Sequence, residues 1–362
     1  MIVKYCSNCV MPSTKPNSIF LNGICKACLY NNNKKIIKIN WFKRKTEFNK
    51  IISQIKKNNK SEFDVLVPVS GGKDSLTQIH HVIKKKLKVL AFHVDNGLKT
   101  EIGKYNLNLI PKMGAHLMIF KPDLNIQRKL VKIGFFKYGD PDLMNHCLLH
   151  ALPIRTAIKL KIPMVFLGEN AALEYNGDTT INSKKVSIKW FKKYAANNKF
   201  TAKFISKKFK IPYSKMKIYD LPLNSEIRKT KAYFASYFFK WSSEQNYKIA
   251  KKYGFKSLKK NSEGTYKDYV SIDEKFNRIH QYLKYLKFGY GRATDHACED
   301  IRNKKITRQK AIKLVKKYDR ARISSYYYLD FIKFIYISKK SFFLNLKKFT
   351  NYKIQTQIKR IK

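Results

Sequence analysis

The chain has 362 residues, of which 44% are hydrophobic and 14% aromatic, and its formal net charge is +52. This length and apolar content suffice for a main domain with appendages around a buried core. No apolar run approaches the length of a membrane span, and the N-terminus reaches Cys6 without a signal-peptide core. We therefore expect a cytoplasmic protein without membrane insertion.

The positive charge alone would suit a polyanionic partner, such as RNA or an anionic membrane surface. The basic residues, however, are mostly Lys and run from end to end, and Asn, Ile, Tyr and Phe are also abundant. An A/T-rich coding bias would produce this joint excess, because all five residue types use A/T-rich codons. The charge is therefore weak evidence for nucleic acid, and we do not expect it as the partner.

Four cysteines near the N-terminus form two knuckles, Cys6-x-x-Cys9 and Cys25-x-x-Cys28. Two C-x2-C pairs at this separation are typical of a structural zinc site, in which four thiolates close a small loop-rich unit. Four unrelated thiols are the alternative, which the paired spacing disfavours. We predict a zinc-binding module over residues 1–35, with zinc in a structural role.

A glycine-rich segment, Ser70-Gly71-Gly72-Lys73-Asp74-Ser75, separates an apolar, β-branched run at 63–69 from residues with helical periodicity. Adjacent glycines let the backbone approach an anion, and the start of a helix presents unpaired N–H groups to it. Ser70, Lys73 and Ser75 add side-chain donors. The segment therefore predicts a phosphate site, in preference to an ordinary strand-to-helix turn.

The glycine spacing differs from that of a G-x-x-x-x-G-K-[ST] P-loop. The segment resembles instead the SGGxDS pyrophosphate loop of ATP pyrophosphatases, which split ATP to AMP and pyrophosphate while they adenylate a substrate oxygen. The resemblance implies ATP and Mg²⁺ as ligands. It also implies that residues 70–75 bind the nucleotide and that Lys73 and Asp74 take part in catalysis.

Strands and helices alternate from residue 63 onwards, which is typical of a parallel sheet flanked by helices. Further strands are predicted at 88–94, 115–120 and 163–167. Ligands of such α/β sheets bind at the carboxyl ends of the strands. Asp95 follows the second strand, so we expect it to bind nucleotide or magnesium, although Asp95-Asn96-Gly97 would also make a simple turn. Gly168, Glu169 and Asn170 follow the fourth strand and are further candidates for nucleotide binding.

The organisation that we predict is a zinc module, an α/β domain over residues 60–222, a helical substrate or partner region over 223–350, and a basic tail over 351–362. Residues 171–217 are rich in Lys and aromatic side chains and suggest an insertion or a lid. Further helices are predicted at 307–318 and from a cap at Ser341 to Phe349.

A second polar string, Phe288-Gly289-Tyr290-Gly291-Arg292-Ala293-Thr294-Asp295-His296-Ala297, lies in the helical region. Arg292 suits a carboxylate or diphosphate of the substrate. Asp295 and His296 are candidate general acid–base groups. A capped helix with a surface arginine is the alternative.

Taken in order, the cysteine knuckles, SGGKDS, GENAALEYNG and FGYGRATDHA resemble the N-acetyl sugar amidotransferase family of lipopolysaccharide and surface-polysaccharide biosynthesis. The resemblance covers nearly the whole chain and implies an adenine nucleotide alpha-hydrolase-like fold of the pyrophosphate-loop superfamily. It further implies an ATP-dependent enzyme that converts the acetamido group of a nucleotide-linked sugar to an acetamidino group. The chain departs from the family near residues 140–150, where a C-x-x-C-H string is expected and only Cys147 is present.

The source of ammonia is not visible in the sequence, which contains no G-x-C-x-G nucleophile elbow for glutamine hydrolysis. The resemblance implies a separate glutaminase and a cyclase-like subunit as partners.

Two other functions stay open. A tRNA-thiolating enzyme can also join a cysteine zinc module to SGGKDS, and Cys147 and Cys298 would then deliver sulfur. A nucleotide-binding module without chemistry is the third possibility. His146, Cys147 and His150 could form a metal cluster or a thiol with its base, but helix-face polar and core groups explain them at least as well.

Overall fold

A computed structural model describes residues 2–36, 39–181, 183–195 and 200–358. Its strands are β1 (Phe20–Leu21), β2 (Ile24–Cys25), β3 (Val65–Pro68), β4 (Val89–Val94), β5 (His116–Phe120), β6 (Met164–Leu167) and β7 (Lys231–Phe234).

The helices up to the last strand are α1 (Lys26–Ile36), α2 (Trp41–Asn58), α3 (Lys73–Ile83), α4 (Glu101–Leu107), α5 (Leu109–Lys112), α6 (Leu124–Ile133), α7 (Asn145–Lys159), α8 (Ala171–Glu174), α9 (Ile188–Trp190), α10 (Ala202–Phe209), α11 (Tyr213–Met216) and α12 (Asn224–Lys229). The later helices are α13 (Ala235–Phe238), α14 (Ser243–Lys251), α15 (Phe276–Phe288), α16 (Arg292–Arg302), α17 (Arg308–Tyr318), α18 (Ser325–Phe334), α19 (Lys339–Lys348) and α20 (Tyr352–Ile358). Short 3₁₀ or π-helical turns lie at Gly134–Tyr138, Thr179–Ile181, Phe191–Ala195 and Lys217–Tyr219. None of the described helices is long and apolar enough to cross a bilayer.

Five strands form one parallel sheet in the order β5-β4-β3-β6-β7. The central strand β3 pairs with a neighbour on each side, so that Val65 lies opposite Val89 of β4 and opposite Met164 of β6. The chain builds one side of the sheet out to β5 and then returns to the other side of β3 for β6, which reverses the strand order. Open parallel sheets bind ligands at the carboxyl ends of strands beside such a reversal.

Helices cover both faces of the sheet, and alternate residues of β3 show this directly. Val65 and Val67 belong to a buried cluster that includes Leu76 of α3, whereas Leu66 belongs to a second cluster that includes Leu148 of α7. Successive side chains of a strand point to opposite faces, so both faces are buried. This explains why β3, β4 and β6 are almost continuously apolar.

The C-terminal helices have a buried cluster of their own, formed by α15, α18 and α19 around Phe276, Phe331 and Phe342. A fourth cluster joins the N-terminal cysteines to Cys298 of α16 and Ala311 of α17. The two ends of the chain are therefore packed together.

The sequence prediction of an α/β fold with a parallel sheet is confirmed, and the four predicted strands begin and end within two residues of their observed limits. The fifth strand, β7, lies beyond residue 222, in a region predicted to be helical. It has four residues, Lys231–Phe234, and no Gly or Pro lies within three residues of either end to mark its limits. The sheet therefore extends past the predicted domain boundary.

Residues 171–217, predicted as an insertion or a lid, lie in the connection from β6 to β7. Trp190, Phe191 and Ile205 of this stretch are buried in the core. It is therefore part of the α/β domain. Residues 182 and 196–199 of the predicted segment lie outside the described residues.

One helix cap was predicted at the wrong serine. The helix assigned to Ser341 begins at Lys339, because the Ser338 hydroxyl oxygen accepts the Ser341 N–H at 3.1 Å and so caps the first turn. The predicted helix over 307–318 is confirmed, with Thr307 as its cap.

The predicted basic tail is also wrong for residues 352–358, which form α20. Ile354 and Ile358 pack beside Gly289, and the Gln355 amide donates to the Tyr285 carbonyl at 2.7 Å. Residues 359–362 lie outside the described part of the chain.

Candidate functional site

Residues 70–75, the glycine loop, connect the carboxyl end of β3 to α3. The Ser70 N–H donates to the Ser75 hydroxyl oxygen at 2.9 Å, and the Gly72 N–H donates to the Ser70 hydroxyl oxygen at 3.2 Å. Gly72 begins α3 without a side-chain cap. The loop thus holds itself together while the first N–H groups of an 11-residue helix stay available to an anion.

Gly71 has a backbone that only glycine tolerates. Its φ is +88°, and a Cβ there would lie 2.6 Å from the Gly103 carbonyl oxygen. The close approach holds the loop against the start of α4 and explains the first glycine of the pair.

We predict that Gly71→Ala lowers the free energy of unfolding by about 2–5 kcal/mol, because it combines left-handed strain with a backbone clash. Gly114→Ala is the matched control, since Gly114 has a φ of +93° and nothing within 4 Å of an added Cβ. It should cost only the strain, about 1–2 kcal/mol. Urea unfolding measures both losses, and equal losses would contradict the clash.

Lys73 and Asp74 form an ion pair at the start of α3, with Nζ 2.6 Å from Oδ2. The Asn246 amide of α14 donates to the other carboxylate oxygen of Asp74 at 2.6 Å. The Lys73 side chain is 8% exposed and that of Asp74 is 38% exposed. The helix pair α3–α14 therefore fixes a buried cation and presents a carboxylate beside it.

A polar cavity of about 130 Å³ opens at this point. Its lining includes Lys73 and Asp74 from α3, Glu169 after β6, and Arg292 and His296 from α16. Three segments that are far apart in the sequence thus meet in one cavity, at the carboxyl ends of β3 and β6.

The charges in the cavity influence one another. Burial raises the pKa of Glu169, and the Asp74 carboxylate adds to the rise, while Lys73 and Arg292 act in the opposite direction. Burial alone would lower the pKa of Arg292, but Tyr175, Asp295 and Glu169 hold it above its usual value. Arg292 therefore stays charged.

The Arg292 guanidinium has an unsatisfied donor. Its Nε is buried and has no hydrogen-bond partner within the described ranges. Buried donors are nearly always paired, and a planar guanidinium pairs best with carboxylate or phosphate oxygens. Arg292 is therefore suited to an anionic group of a ligand.

His296 lines the same cavity from the next turn of α16, and its Nδ1 lies 2.7 Å from the Thr265 hydroxyl oxygen. Burial, with Arg292 and Lys267 nearby, holds the pKa of His296 well below its usual value. The imidazole is therefore neutral at neutral pH, and it is a weak base.

This neutral histidine has a consequence for stability. The pKa of His is about 6.5 in an unfolded chain and lower at His296, so the unfolded state binds the proton first as the pH falls. Below pH ~6.5 the wild type should lose stability more steeply than His296→Gln, by up to about 1.4 kcal/mol per pH unit. Urea unfolding from pH 7 to 5 measures the difference, and parallel curves would contradict it.

Several residues predicted for the site lie outside the cavity lining, and Ser70, Gly71, Gly72 and Ser75 of the glycine loop are among them. Asp95 accepts the Gly97 N–H at 2.9 Å, which closes the turn after β4. The Asn170 side-chain oxygen accepts the Ala172 N–H and the Trp190 indole N–H, each at 3.1 Å. Asp95 and Asn170 therefore shape the loops at the carboxyl ends of β4 and β6.

Asp295 and Gly168 have other surroundings. Asp295 pairs with Lys284, whose Nζ is 2.6 Å from its Oδ2. Burial opposes the charge of Asp295, but Lys284 and Lys15 hold its pKa below the usual range. A Cβ at Gly168 would lie 3.4 Å from Trp241 and from Gln78. Gly168 therefore allows the chain to pass close to these side chains.

Sequence reasoning missed part of the cavity. Glu299 and Arg302 also line it, on the same face of α16 as Arg292 and His296. These four residues recur at i, i+4, i+7 and i+10, a spacing that indicates one face of a helix and could have predicted that Glu299 and Arg302 belong to the site. Trp241 and Ser243 also line the cavity, and no motif marked them.

The four N-terminal cysteines come together, as predicted, with all four sulfur atoms within 4.8 Å of one another and all four side chains buried. Cys9 Sγ lies 3.8 Å from Cys25 Sγ. Zn–S bonds of ~2.3 Å in a tetrahedron place sulfur atoms about 3.8 Å apart, so the group fits a zinc ion that would crosslink the module. In the described ranges no other group of three or more Cys, His, Asp or Glu side chains brings its ligand atoms this close together.

The cysteine module holds the helix that carries Arg292 and His296. The Thr14 hydroxyl donates to the Phe288 carbonyl at 2.5 Å, and the Lys15 amine donates to the Tyr175 carbonyl at 2.6 Å. Phe288 is the last residue of α15, shortly before α16, and the Asn31 amide donates to the Arg302 carbonyl at the C-terminal end of α16 at 3.1 Å. The module therefore fixes α16 against the cavity.

The other candidate metal or thiol group is dispersed. Cys147 is buried in α7, where burial raises the pKa of its thiol to about 12. His150 packs against Trp190, and burial lowers its pKa to about 3. A Cys147 thiol in this state is a poor nucleophile.

Comparison with known proteins addresses the C-terminal part of the chain. None of the curated proteins matches the chain. Residues 263–362, which include α15, α16 and the helices that follow, match the family model described as LPS biosynthesis protein WbpG-like, C-terminal domain. The region that contributes Arg292 and His296 to the cavity is thus similar to the C-terminal domain of proteins of lipopolysaccharide biosynthesis.

Proposed function

We propose that this chain is an ATP-dependent amidotransferase that converts the acetamido group of a nucleotide-linked N-acetyl sugar to an acetamidino group. The meeting of Lys73, Glu169, Arg292 and His296 in one cavity carries this proposal. It brings a candidate nucleotide site next to a candidate site for an anionic sugar substrate. The match of residues 263–362 to lipopolysaccharide biosynthesis proteins supports a sugar as that substrate.

The chemistry requires activation, because the oxygen of an amide is a poor leaving group. The amide oxygen attacks the α-phosphorus of ATP, the bond to pyrophosphate breaks, and the amide nitrogen loses a proton to leave an O-adenylyl imidate. Ammonia then adds to the imidate carbon. The C–O bond breaks, and AMP leaves with the former amide oxygen. Acetamido sugar, ammonia and ATP thus give acetamidino sugar, AMP and pyrophosphate.

The residues of the cavity supply the groups that these steps need. We assign Lys73 and the N–H groups of the glycine loop to the charge that develops on pyrophosphate. Arg292 binds the diphosphate of the sugar nucleotide. Neutral His296 accepts a proton from the nitrogen that has added. Asp74, whose carboxylate is 38% exposed, would hold a Mg²⁺ ion, which would neutralise phosphate charge.

Ammonia comes from a partner in this proposal, namely a separate glutaminase acting with a cyclase-like subunit. The chain alone should then work with ammonium salt in place of the partner.

The test of the proposed function is a reaction of the purified chain with ATP, Mg²⁺, ammonium chloride and a nucleotide-linked diacetamido sugar. Mass spectrometry should show replacement of one oxygen by NH in the sugar, with equal amounts of AMP and pyrophosphate. Omission of ammonium is the control. Folded chain that leaves the sugar unchanged while it cleaves ATP on another acceptor would overturn the assignment.

The geometry does not favour a tRNA-thiolating enzyme. Cys147 and Cys298 are 2% and 0% exposed, and neither lines the cavity. Cys298 packs instead against the cysteine module. Sulfur delivery would need a thiol that reaches the activated carbon.

The proposed role of Arg292 predicts a change that depends on the substrate. Arg292→Gln should raise the KM for a nucleotide-linked sugar about a hundredfold, because it removes a charged fork from a diphosphate. The KM for the same sugar without its nucleotide should change less than about threefold. Steady-state kinetics with both sugars makes the comparison. An equal change in both values would contradict a diphosphate contact.

A further inference from the structure

Helix α19 exposes a surface that the proposed function does not use. Its outward positions are Lys339 and Lys340, then Phe343 and Leu344, then Lys347 and Lys348, all of them exposed. These positions recur at i, i+4 and i+8, so the six side chains form one continuous stripe along the helix. Two apolar residues thus stand between two pairs of lysines; we call these six residues the α19 stripe.

The orientation of α19 is fixed by its opposite face. Phe342 stacks on Phe135 with ring centroids 5.5 Å apart, and the Asn345 amide donates to the Phe135 carbonyl at 2.8 Å. Leu346 is 6% exposed beside them. The stripe therefore cannot turn inward without breaking the packing of the helix.

The apolar residues of the stripe are unusually open for their size. Leu344 is 57% exposed and Phe343 is 41% exposed, although Phe343 rests one edge on Tyr328. Tyr336 before the helix and Tyr352 after it are 70% and 59% exposed. The stripe and the chain on either side of it thus expose two apolar side chains and two tyrosines, a residue type that is enriched where proteins meet lipid headgroups.

The stretch of chain that contains the stripe carries charge of one sign. Residues 331–358 contain no Asp or Glu. Of the four stripe lysines, Lys348 donates to the Phe136 carbonyl at 3.2 Å, and Lys339 lies 5.8 Å from the centre of the Tyr328 ring. These contacts leave the positive charges without a neutralising carboxylate in this stretch, and they complement an anionic surface.

We propose that the α19 stripe docks the protein on the surface of an anionic lipid bilayer. Exposed lysines attract a protein to anionic lipid, and exposed Phe and Leu side chains add apolar area that the membrane interface can bury. The lysines would pair with anionic headgroups, while Phe343 and Leu344 enter the boundary between headgroups and acyl chains.

The test uses the full chain and sedimentation with vesicles of phosphatidylglycerol and phosphatidylcholine in equal parts, with pure phosphatidylcholine for comparison. Wild type should sediment with the anionic vesicles only. Lys340→Glu/Lys347→Glu should lower the partition coefficient about thirtyfold, and Phe343→Ser/Leu344→Ser about tenfold although it leaves the charge unchanged.

A matched control separates docking from general attraction to a basic protein. Lys313→Glu/Lys317→Glu makes the same charge change on α17, where both lysines are exposed and no large apolar residue is. It should lower the partition coefficient less than about threefold. An equal fall in the partition coefficient of the two charge variants would overturn the proposal. Binding of Phe343→Ser/Leu344→Ser at the level of the wild type would also overturn it.

A second readout reports insertion directly. Tryptophan in Leu344→Trp should shift its fluorescence to shorter wavelength when anionic vesicles are added. No shift would overturn the proposal. Wild-type oligomers that dissociate when Phe343→Ser/Leu344→Ser is introduced would also overturn it, because the stripe would then be a contact between protein chains. Circular dichroism of each variant establishes that the fold is retained.

Discussion

Lys73→Met is expected to lower the rate of pyrophosphate release from ATP by about 10²–10³-fold, with the fold intact. The Lys73 amine is the buried cation next to the glycine loop, and methionine keeps the stem but removes the charge that would stabilise departing pyrophosphate. Asp74 should stay in place, because Asn246 holds its second oxygen at 2.6 Å. The assay is pyrophosphate release in the presence of the sugar nucleotide and ammonium.

The matched control for this prediction is Lys84→Met. Lys84 is exposed at the opposite end of α3, so its removal changes the charge of the same helix far from the loop. It should release pyrophosphate at the wild-type rate. A folded Lys73→Met with the rate of the control would show that the Lys73 charge has no part in ATP cleavage.

Loss of the metal from the cysteine module is expected to have the second large effect. We expect about one zinc ion per chain in protein never exposed to chelator, and Cys25→Ser should bind much less. The melting temperature of Cys25→Ser should fall by about 10 °C or more. Its amidation should be lost as well, because Thr14, Lys15 and Asn31 connect the module to the cavity.

Cys147→Ser is the control for the zinc prediction, since Cys147 is equally buried but lies in α7. It should keep the full zinc content and a wild-type dependence of activity on ammonium. Elemental analysis measures the zinc content, thermal unfolding measures the melting temperature, and the amidation assay measures the dependence on ammonium. Wild-type protein without zinc would contradict the prediction, and so would a Cys25→Ser variant that melts at the wild-type temperature.

The parts of the fold that could be predicted are those with a strong local signal. The runs that became β3, β4, β5 and β6 are apolar and bounded by turn residues, and their limits were found within two residues. Strand β7 is as short as β3 and β6, but no Gly or Pro lies within three residues of either end. Its place in the sheet depends on pairing with β6, which no local pattern reports.

The segments that form the site could be predicted from the sequence, but the directions in which their side chains point could not. Asp295 and His296 are neighbours on α16, and neighbouring residues of a helix point about 100° apart. The structure directs His296 to the cavity and pairs Asp295 with Lys284. Which of the two would face inward depended on how α16 packs against the cysteine module, and the sequence does not encode that locally.

The hydrogen bond between Thr14 and Phe288 joins residues 274 positions apart. A ribosome adds about 5–20 residues per second, so about 15–55 s separate the synthesis of its two ends. Val10 and Met11, buried against the late helices in the finished protein, have no such partner during this time. A metal ion can bind the four cysteines as soon as they have been synthesised, whereas the helices against which they pack are synthesised near the end of translation. Synthesis from the N-terminus thus favours metal capture first and docking of α16 afterwards.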